Sequence, residues 1–382
     1  MSNRKVFDYS CVKNLPELLK LLRDNKIPDK EFWIYIGKYQ EAKARENGVP
    51  MHGTFELTPF CNLDCNMCYV HLNANQVSDE NLQTVEQWKR IITKAHSMGM
   101  MNATLTGGEC LIYPGFDELY LFLREMGIKT SIKTNGVLLS PKRIDFFNKY
   151  PPRSVTISLY GSSNEVYKRV TGHEAFDVVY GNLLQLKEAE FPVSIAITPS
   201  SDMYEDLDNL FTICKQLGFP YSVNVALFQP REETGRTIYD LSPNEYAEIF
   251  NKIKNGAVSP SESYDEHTVP DDSKQVYTCN GLRCGAGKSC FTVEWNGKMS
   301  GCDNLDLIKI DLHDEDFSNA WKRINMEANT YPLPVECKDC IYDKVCFSCA
   351  AYRGNGAEKG HCNKKICERT KLFVSKGIYK VI

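Results

Sequence analysis

The sequence lacks long hydrophobic runs. No stretch approaches the ~20 consecutive apolar residues that a membrane-spanning helix requires. The first ten residues, MSNRKVFDYS, contain no apolar segment of the kind found in secretion signals. These absences predict a cytoplasmic protein that neither crosses nor binds a membrane.

The sequence also lacks an excess of charge of one sign. It has 45 Lys and Arg against 49 Asp and Glu, a formal net charge of −4, which provides no basic surface for nucleic acid. With 42% hydrophobic and 25% charged residues, the composition is that of an ordinary globular protein. The 382 residues allow two or three domains.

Cysteine, by contrast, is abundant, with 16 residues in the chain. In a cytoplasmic protein this number favours metal binding over disulfide bonds. Cys61, Cys65 and Cys68 have C-x3-C-x2-C spacing, and three thiolates on one short loop can bind three irons of a cubane cluster. Such clusters normally take four cysteines, so one iron would stay open for an outside ligand, as in catalytic metal sites. A zinc site or three unconnected thiols are the alternatives.

This motif resembles that of the radical S-adenosylmethionine (SAM) enzymes. The resemblance implies that the amino and carboxylate groups of SAM chelate the open iron of a 4Fe-4S cluster. The reduced cluster would then cleave SAM to a 5′-deoxyadenosyl radical, which abstracts a hydrogen atom from substrate. The family usually has an aromatic residue before the third cysteine, but here that residue is Met67. Tyr69, directly after Cys68, is therefore the candidate for the aromatic contact to adenine.

Strand and helix patterns alternate after residue 51. Strands are predicted at 54–58, 102–106, 129–134, 154–159, 193–198 and 221–227. Helices are predicted near 84–98, 115–126, 141–149, 175–189 and 204–217. Alternation of this kind predicts parallel strands joined by right-handed crossovers, and six units are too few for a closed eight-stranded barrel. The expected fold class is α/β, a partial (β/α)6 TIM-like barrel with a C-terminal cysteine-rich iron–sulfur domain.

The ends of the predicted strands resemble the family's SAM-binding turns. The second strand ends in Gly107-Gly108-Glu109; the family's turn of this type receives the SAM amino group, and its glycines let backbone approach a ligand closely. The third ends with Asn135 in a TNG turn, which in the family lies beneath the ribose. The family's usual Pro after the Glu is Cys110 here, a spare thiol.

The resemblance implies three further SAM contacts. Ser158, on the fourth strand, matches a polar contact to the ribose or carboxylate. Arg169 would pair with the SAM carboxylate, since Arg recognises carboxylates in a bidentate manner; the alternative is a solvated charge on a helix. Backbone groups near Ala196, on the fifth strand, would meet the adenine edge.

The predicted domains are a helical segment at 1–50, the radical SAM barrel at 51–227, a linker with a helix at 228–283 and a cluster domain at 284–382. Within the linker, the sequence SPNE at 242–245 is typical of a helix start, with Ser as N-cap, Pro at the first helical position and Glu at the third.

The C-terminal region holds a second group of cysteines. There are ten, at positions 279, 284, 290, 302, 337, 340, 346, 349, 362 and 367. Their spacing, with a WNGK turn before Cys302, resembles the SPASM extension of radical SAM enzymes, which holds two auxiliary 4Fe-4S clusters. The alternative is a zinc ribbon, because paired C-x2-C also suits zinc.

The resemblance implies one ligand set for each auxiliary cluster. The first set is Cys284, Cys290, Cys302 and Cys349. The second set is Cys337, Cys340, Cys346 and Cys367. Cys279 competes with Cys284 for the first cluster, and Cys362 competes with Cys367 for the second.

Asp303 directly follows Cys302. In related SPASM dehydrogenases an Asp at this place takes a proton from the oxidised substrate, which implies a catalytic role in general base chemistry. The alternative is a turn residue whose carboxylate bonds to nearby backbone.

These features favour a radical SAM maturase that oxidatively cross-links or otherwise modifies a ribosomally made peptide. A dehydrogenase that oxidises a protein side chain, as sulfatase maturases do, or a small alcohol is the alternative within the superfamily. A non-catalytic iron–sulfur electron carrier is the alternative of another class, although a carrier needs no SAM-binding turns. The expected partners are a peptide or protein substrate and a one-electron reductant such as flavodoxin or ferredoxin. The substrate and the bond formed stay open.

Overall fold

The computed structural model describes residues 16, 19–20, 23–24, 29–70, 72, 76, 82–224, 227–228, 230, 241–254, 281–305, 307–332, 334–337, 339–343, 345–346, 349–351 and 360–378. The strands are β1 His52–Glu56, β2 Asn102–Thr106, β3 Lys129–Thr134, β4 Ser154–Ser158, β5 Val193–Ile197, β6 Tyr221–Val223, β7 Cys290–Val293, β8 Lys298–Ser300 and β9 Ile310–Asp311. The α-helices are α1 Asp29–Asn47, α2 Val85–Ser97, α3 Phe116–Glu125, α4 Pro141–Lys149, α5 Asn164–Thr171, α6 Phe176–Glu188, α7 Leu207–Leu217, α8 Pro243–Lys254, α9 Phe317–Thr330 and α10 Lys364–Ser375.

All the strands belong to one sheet, in the order β6-β5-β4-β3-β2-β1-β7-β8-β9. Strands β1 to β6 are parallel, each beside its predecessor in the chain, as right-handed β-α-β units predict. The predicted α/β fold with six barrel strands is therefore confirmed. The described part of the sixth strand, at 221–223, is shorter than the predicted 221–227, of which residues 225–226 lie outside the described part.

The sheet continues beyond β1 into the C-terminal region, which sequence patterns did not indicate. Strand β7 pairs in parallel with β1, with His52 opposite Cys290, and β8 and β9 follow in antiparallel pairing. The Phe291 ring packs edge-to-face on Phe55, with 5.9 Å between ring centroids. The domain boundary at residue 284 stays a prediction. The regions on its two sides share one sheet and one hydrophobic core.

The barrel sheet has one apolar and one polar face. Phe55, Leu105 and Ile132 are fully buried, and Phe55 packs edge-to-face on Trp88 of α2, which identifies this as the helix-covered face. Because side chains alternate along a strand, the intervening residues line the concave face, and most are half-buried hydroxyl residues. They include Thr54, Thr104, Thr106, Ser131, Ser154, Thr156, Ser158 and Ser194.

Helix boundaries follow local capping chemistry. Thr84 and Gln87 form a reciprocal capping box at the start of α2, and Ser242 and Glu245 do so at α8, where the Ser242 N–H donates to Glu245 Oε2 at 2.7 Å. The helix start predicted from SPNE is therefore confirmed. Within the described part of the chain, no helix combines the length and apolar character needed to cross a bilayer. The cytoplasmic location stays a prediction.

Candidate active site

The loop that carries Cys61, Cys65 and Cys68 follows β1 and rests on the end of α5. The N–H of Asp64 donates to Thr171 O at 2.8 Å, and the N–H of Asn66 donates to Val170 O at 2.9 Å. The last carbonyls of a helix have no partner within it, so the loop satisfies carbonyls that α5 leaves open. The end of α5 is thus the platform of the cysteine loop, a role that no motif indicated.

The three thiols lie close together. Burial raises the pKa of the Cys61 thiol to about 11, and the nearby Cys68 contributes in the same direction. The pKa of the Tyr160 hydroxyl is raised well above its usual value, first by burial and also by the neighbouring thiols of Cys65, Cys68 and Cys61. Iron binding would have to displace the thiol protons, as metal binding to cysteine generally does.

The donor set of the loop fits an iron–sulfur cluster. Thiolates are the usual ligands of such clusters, and all three cysteines interact electrostatically with the same tyrosine, Tyr160. Among the residues that the structure describes, no group of three Cys, His, Asp or Glu converges as the ligands of one metal ion would. A cubane cluster needs no such convergence, because its thiolates bind different irons.

The Gly107-Gly108 turn lies directly on the backbone that enters the cysteine loop. The Gly108 N–H donates to Thr58 O at 2.7 Å, and the Glu109 N–H donates to Phe60 O at 2.8 Å. A Cβ on Gly107 would lie 2.4 Å from Thr58 O, and one on Gly108 would lie 2.2 Å from Phe60 O. Gly107 also has φ of +144°, a conformation that favours glycine. The glycines therefore hold the loop in place, and their predicted contact to SAM stays a prediction.

Glu109 joins this turn to the end of β3. Its fully buried carboxylate accepts hydrogen bonds from the Asn135 N–H at 2.8 Å, Thr134 Oγ1 at 2.9 Å and the Leu111 N–H at 3.1 Å. Burial raises the pKa of Glu109, and these donors oppose the shift. The Asn135 side chain in turn donates to Asn62 Oδ1 at 2.7 Å and lies 3.6 Å from Cys61 Sγ. The two turns predicted to bind SAM thus form one network with the cysteine loop.

The remaining predicted SAM contacts lie at the same edge of the sheet. Ser158 and Ala196 are opposite each other on β4 and β5, and both are half-buried. Arg169 is exposed, and its Nε donates to Asp202 O at 2.7 Å, while its carbonyl accepts from Asn66 Nδ2 at 2.9 Å. Arg169 therefore links α5 to the segment after β5, and its contact to the SAM carboxylate stays a prediction.

The first predicted auxiliary ligand set lies around β7 and β8. Cys290 begins β7, and Cys302 follows β8. Burial raises the pKa of the Cys302 thiol, with further contributions from the Asp303 carboxylate, Cys349 and Cys284. Burial raises the pKa of Cys290 to about 11, and Cys284 contributes there as well. These interactions indicate that the four cysteines lie in one neighbourhood. Their role as cluster ligands stays a prediction.

The second predicted set lies along residues 337–346 and α10. The Cys340 N–H donates to Cys337 O at 3.4 Å, and Thr370 Oγ1, one turn after Cys367, lies 3.6 Å from Cys346 Sγ. The competing Cys362 is half-buried, and its N–H donates to Glu336 Oε2 at 3.1 Å. The choice between Cys362 and Cys367 stays open.

The remaining cysteines belong to none of these sets. Cys110 and Cys214 are fully buried, as expected of spare thiols that pack like small hydrophobic residues. Cys279 falls outside the described residues, so its competition with Cys284 has no structural counterpart here.

Tyr69 and Asp303 are 234 residues apart in sequence and hydrogen-bonded in the structure. The Tyr69 hydroxyl donates to Asp303 Oδ2 at 3.1 Å, and Asn304 Nδ2 donates to Oδ1 at 3.2 Å. Each residue directly follows a predicted cluster ligand, Cys68 or Cys302. This contact joins the two cysteine regions, and no sequence pattern had connected the two residues.

Comparison with known proteins places these observations in a family context. Residues 55–212, from β1 into α7, match the family model described as "Radical SAM superfamily". The "AdoMet-dependent heme synthase" of Methanosarcina barkeri is 24% identical over 320 residues, which cover 78% of this chain and 90% of that protein. The "Antilisterial bacteriocin subtilosin biosynthesis protein AlbA" of Bacillus subtilis is 24% identical over 347 residues, which cover 86% of this chain and 73% of AlbA.

Among solved structures, SuiB of Streptococcus suis has a similar fold. With S-adenosylmethionine bound, SuiB aligns with a TM-score of 0.67 at 17% identity, over 94% of this chain and 88% of SuiB. With the precursor peptide SuiA bound, it aligns with a TM-score of 0.64 at 16% identity over the same shares. At this identity the likeness shows a shared fold.

Proposed function

The chain belongs to the radical SAM superfamily through residues 55–212, and on this premise we propose that it is a maturase that oxidatively modifies a ribosomally made peptide. The observation that carries the proposal is the hydrogen bond between Tyr69 and Asp303. It places a carboxylate from the C-terminal cysteine region beside the loop that would hold the SAM-binding cluster. Removal of two hydrogen atoms from a substrate needs hydrogen-atom abstraction, a proton acceptor and an acceptor for one electron. This contact supports the presence of the first two in one site, and the proposed auxiliary clusters would accept the electron.

The family implies SAM and a 4Fe-4S cluster, which together supply a 5′-deoxyadenosyl radical that abstracts a hydrogen atom from substrate. Cys61, Cys65 and Cys68 would hold the cluster. Glu109 and Asn135 orient the loop through the network described above. The protein's contribution is to position one substrate hydrogen and exclude competing reactions, as cofactor enzymes generally do.

Asp303 would accept the proton that an oxidised substrate releases. Both of its oxygens are held, Oδ2 by the Tyr69 hydroxyl and Oδ1 by Asn304 Nδ2, so the carboxylate is oriented before substrate arrives. General base catalysis by such a positioned group typically contributes about 10²–10⁴-fold in rate. In this role Tyr69 is a positioning residue, and its predicted contact to adenine is a separate proposal.

Two auxiliary 4Fe-4S clusters are part of the proposal. Their ligands would be the sets that contain Cys302 and Cys346, and a flavodoxin or ferredoxin would supply single electrons. With three clusters of four irons, the anaerobically reconstituted protein would contain about twelve irons. A variant that lacks Cys61, Cys65 and Cys68 would contain about eight. About four irons together with zinc would instead support the zinc-ribbon alternative.

A peptide substrate is supported by what the relatives are described as doing. AlbA is described as a bacteriocin biosynthesis protein, and one SuiB structure holds a precursor peptide. The concave sheet face, lined with half-buried hydroxyl residues, would offer hydrogen bonds to an extended chain. Superfamily membership argues against a non-catalytic electron carrier, and the comparisons do not favour the dehydrogenase alternative.

The proposal is tested by following SAM cleavage and peptide mass together. The reconstituted enzyme, SAM, a reductant and a small peptide encoded beside its gene are incubated anaerobically. We expect 5′-deoxyadenosine, and a peptide lighter by two hydrogen atoms. The Asp303→Asn variant should still form 5′-deoxyadenosine but lose about 100-fold in peptide oxidation. Unchanged oxidation by this variant would contradict the role of Asp303, and absence of 5′-deoxyadenosine from the wild type would contradict the proposed function.

A further inference from the structure

A lysine lies in the middle of the concave face of the sheet. Lys133 is on β3, between β2 and β4, so it is not on an edge strand. Strands of parallel sheets are normally buried on both faces and read as apolar runs. Lys133 is instead exposed, while its neighbours Ile132 and Thr134, on the opposite face of the sheet, are buried. The exposed lysine indicates that the concave face is open to solvent at this point.

Hydroxyl groups flank Lys133 on the two neighbouring strands. Thr156 of β4 is directly opposite it, and Thr106 of β2 is the residue after Leu105, which pairs with Ile132. Thr156 Oγ1 lies 3.1 Å from Ser194 Oγ on the next strand. An ammonium group with hydroxyl groups on both sides can donate hydrogen bonds to the oxygens of a carboxylate.

Lys133 has no side-chain ion pair or hydrogen bond to any other residue that the structure describes. The acidic residue on the concave face of β1, Glu56, is buried and already has an interaction partner. It is also two strands away from Lys133, about 10 Å at the usual strand spacing. The positive charge of Lys133 is therefore available to a ligand.

Lys133 lies one layer below the predicted SAM contacts. Ser158 is two residues beyond Thr156, and Ala196 is two residues beyond Ser194, on the same strands. Two residues of a strand rise about 7 Å. A group bound at Lys133 would therefore lie deeper in the barrel than SAM bound at these predicted contacts.

We propose that Lys133, with Thr106 and Thr156, binds a carboxylate of the substrate, either an acidic side chain or the C-terminus of a peptide. The inference rests on the proposed function and narrows its substrate to one that carries a carboxylate near the reacting carbon. The carboxylate of SAM has the same chemistry, and the experiment below separates the two sources.

Lysine acetylation of the reconstituted enzyme by N-hydroxysuccinimidyl acetate, followed by mass spectrometry, tests this proposal. The probes are SAM alone, acetyl-Gly-Glu-Gly-amide, acetyl-Gly-Gln-Gly-amide and acetyl-Gly-Gly-Gly with a free C-terminus. We expect at least one of the two carboxylate probes to slow acetylation of Lys133 severalfold, with an affinity about tenfold higher than that of the glutamine probe. Lys129, at the start of the same strand, is the internal control and should be labelled at an unchanged rate.

Three results would overturn the proposal. These are protection of Lys133 by SAM alone, equal protection by the glutamine probe, and no protection by any probe. In a companion measurement of probe binding by equilibrium dialysis, Lys133→Met should abolish the preference for the protecting carboxylate probe over the glutamine probe, whereas Lys129→Met should keep it. Formation of 5′-deoxyadenosine by the wild type is followed in parallel. If SAM is cleaved while Lys133 is not protected, only the inference about Lys133 fails; if SAM is not cleaved, the proposed function fails.

Discussion

The two cysteine regions are held in place by different kinds of contact. The loop with Cys61 receives hydrogen bonds from distant elements, namely the end of α5, the turn after β2 and Asn135 after β3. Among its described residues, the segment with Cys337, Cys340 and Cys346 makes mostly local backbone hydrogen bonds, such as Cys346 N–H to Tyr342 O at 2.7 Å, and its contacts to distant elements are mainly through side chains, such as Arg283 Nη1 to Asp343 Oδ1 at 3.0 Å. Contacts with the barrel therefore help to shape the first site. The second site would depend more on its own cluster, because metal binding to cysteine-rich segments is coupled to their folding.

The largest expected effect comes from removing one ligand in each region. Cys61→Ala should reduce SAM cleavage to background, because the open iron site is lost. Cys337→Ala should keep part of the cleavage but lose the modified peptide, since its cluster would serve only the oxidation. Formation of 5′-deoxyadenosine and peptide mass are measured on both variants, with Cys214→Ala, a buried thiol that belongs to none of the predicted ligand sets, as the control. Normal product from Cys337→Ala would show that the auxiliary cluster predicted to bind Cys337 is not needed for the reaction.

Iron removal should separate the two regions by their stability. After anaerobic chelation we expect amide hydrogen exchange at 334–346 and 360–375 to speed up by about tenfold or more. Exchange in β1 to β5 should change little, because packing and strand pairing hold these strands. Equal loss of protection in both regions would show that the barrel strands also depend on bound iron. It would contradict the difference in stability between the two regions.

Gly108→Ala should weaken the contacts that hold the cysteine loop of the first region, so that this region, like the second, depends more on its own cluster. The added Cβ would lie 2.2 Å from Phe60 O, so the turn must move away from the cysteine loop. We expect iron in the SAM-binding cluster and SAM affinity to fall together, by about tenfold or more if the displacement costs ~1.4 kcal/mol or more. Gly181→Ala is the matched control, because its Cβ meets nothing within 4 Å and alanine stabilises a helix interior by about 1 kcal/mol. Wild-type SAM affinity in Gly108→Ala would show that the turn does not hold the loop.

The smallest effect should come from cutting the contact between the regions. Tyr69→Phe removes the hydroxyl that holds Asp303 Oδ2, and a hydrogen bond to a charged group contributes about 1.5–3 kcal/mol. We expect peptide oxidation to fall about tenfold with SAM cleavage kept, and the effects of Tyr69→Phe and Asp303→Asn to be non-additive. Tyr120→Phe, which removes a hydroxyl bonded to Tyr150 O at 2.7 Å on the helix side, is the control. Full additivity would mean that Tyr69 acts independently of Asp303, for example through the predicted adenine contact.

Much of the architecture could be predicted from local patterns. Period-two and helical spacing placed the barrel strands and helices within a few residues, and the SPNE sequence marked the start of α8. The C-x3-C-x2-C spacing identified the superfamily, because the chemistry of a three-cysteine cluster is contained in one short loop. Each of these features depends on residues that are near one another in the chain, so the sequence by itself determined them.

Only the tertiary structure decided which distant residues meet. Tyr69 reaches Asp303 across 234 residues, β7 extends the sheet at β1, and α5 ends beneath the cysteine loop. The two glycines after β2, predicted as SAM contacts, also prove to be packing residues, Gly107 against Thr58 O and Gly108 against Phe60 O. No local period records such contacts, since they depend on how crossovers bring strand ends to one edge. For the same reason, the strand pattern did not predict that Lys133 is exposed. This depends on its position in the sheet between β2 and β4.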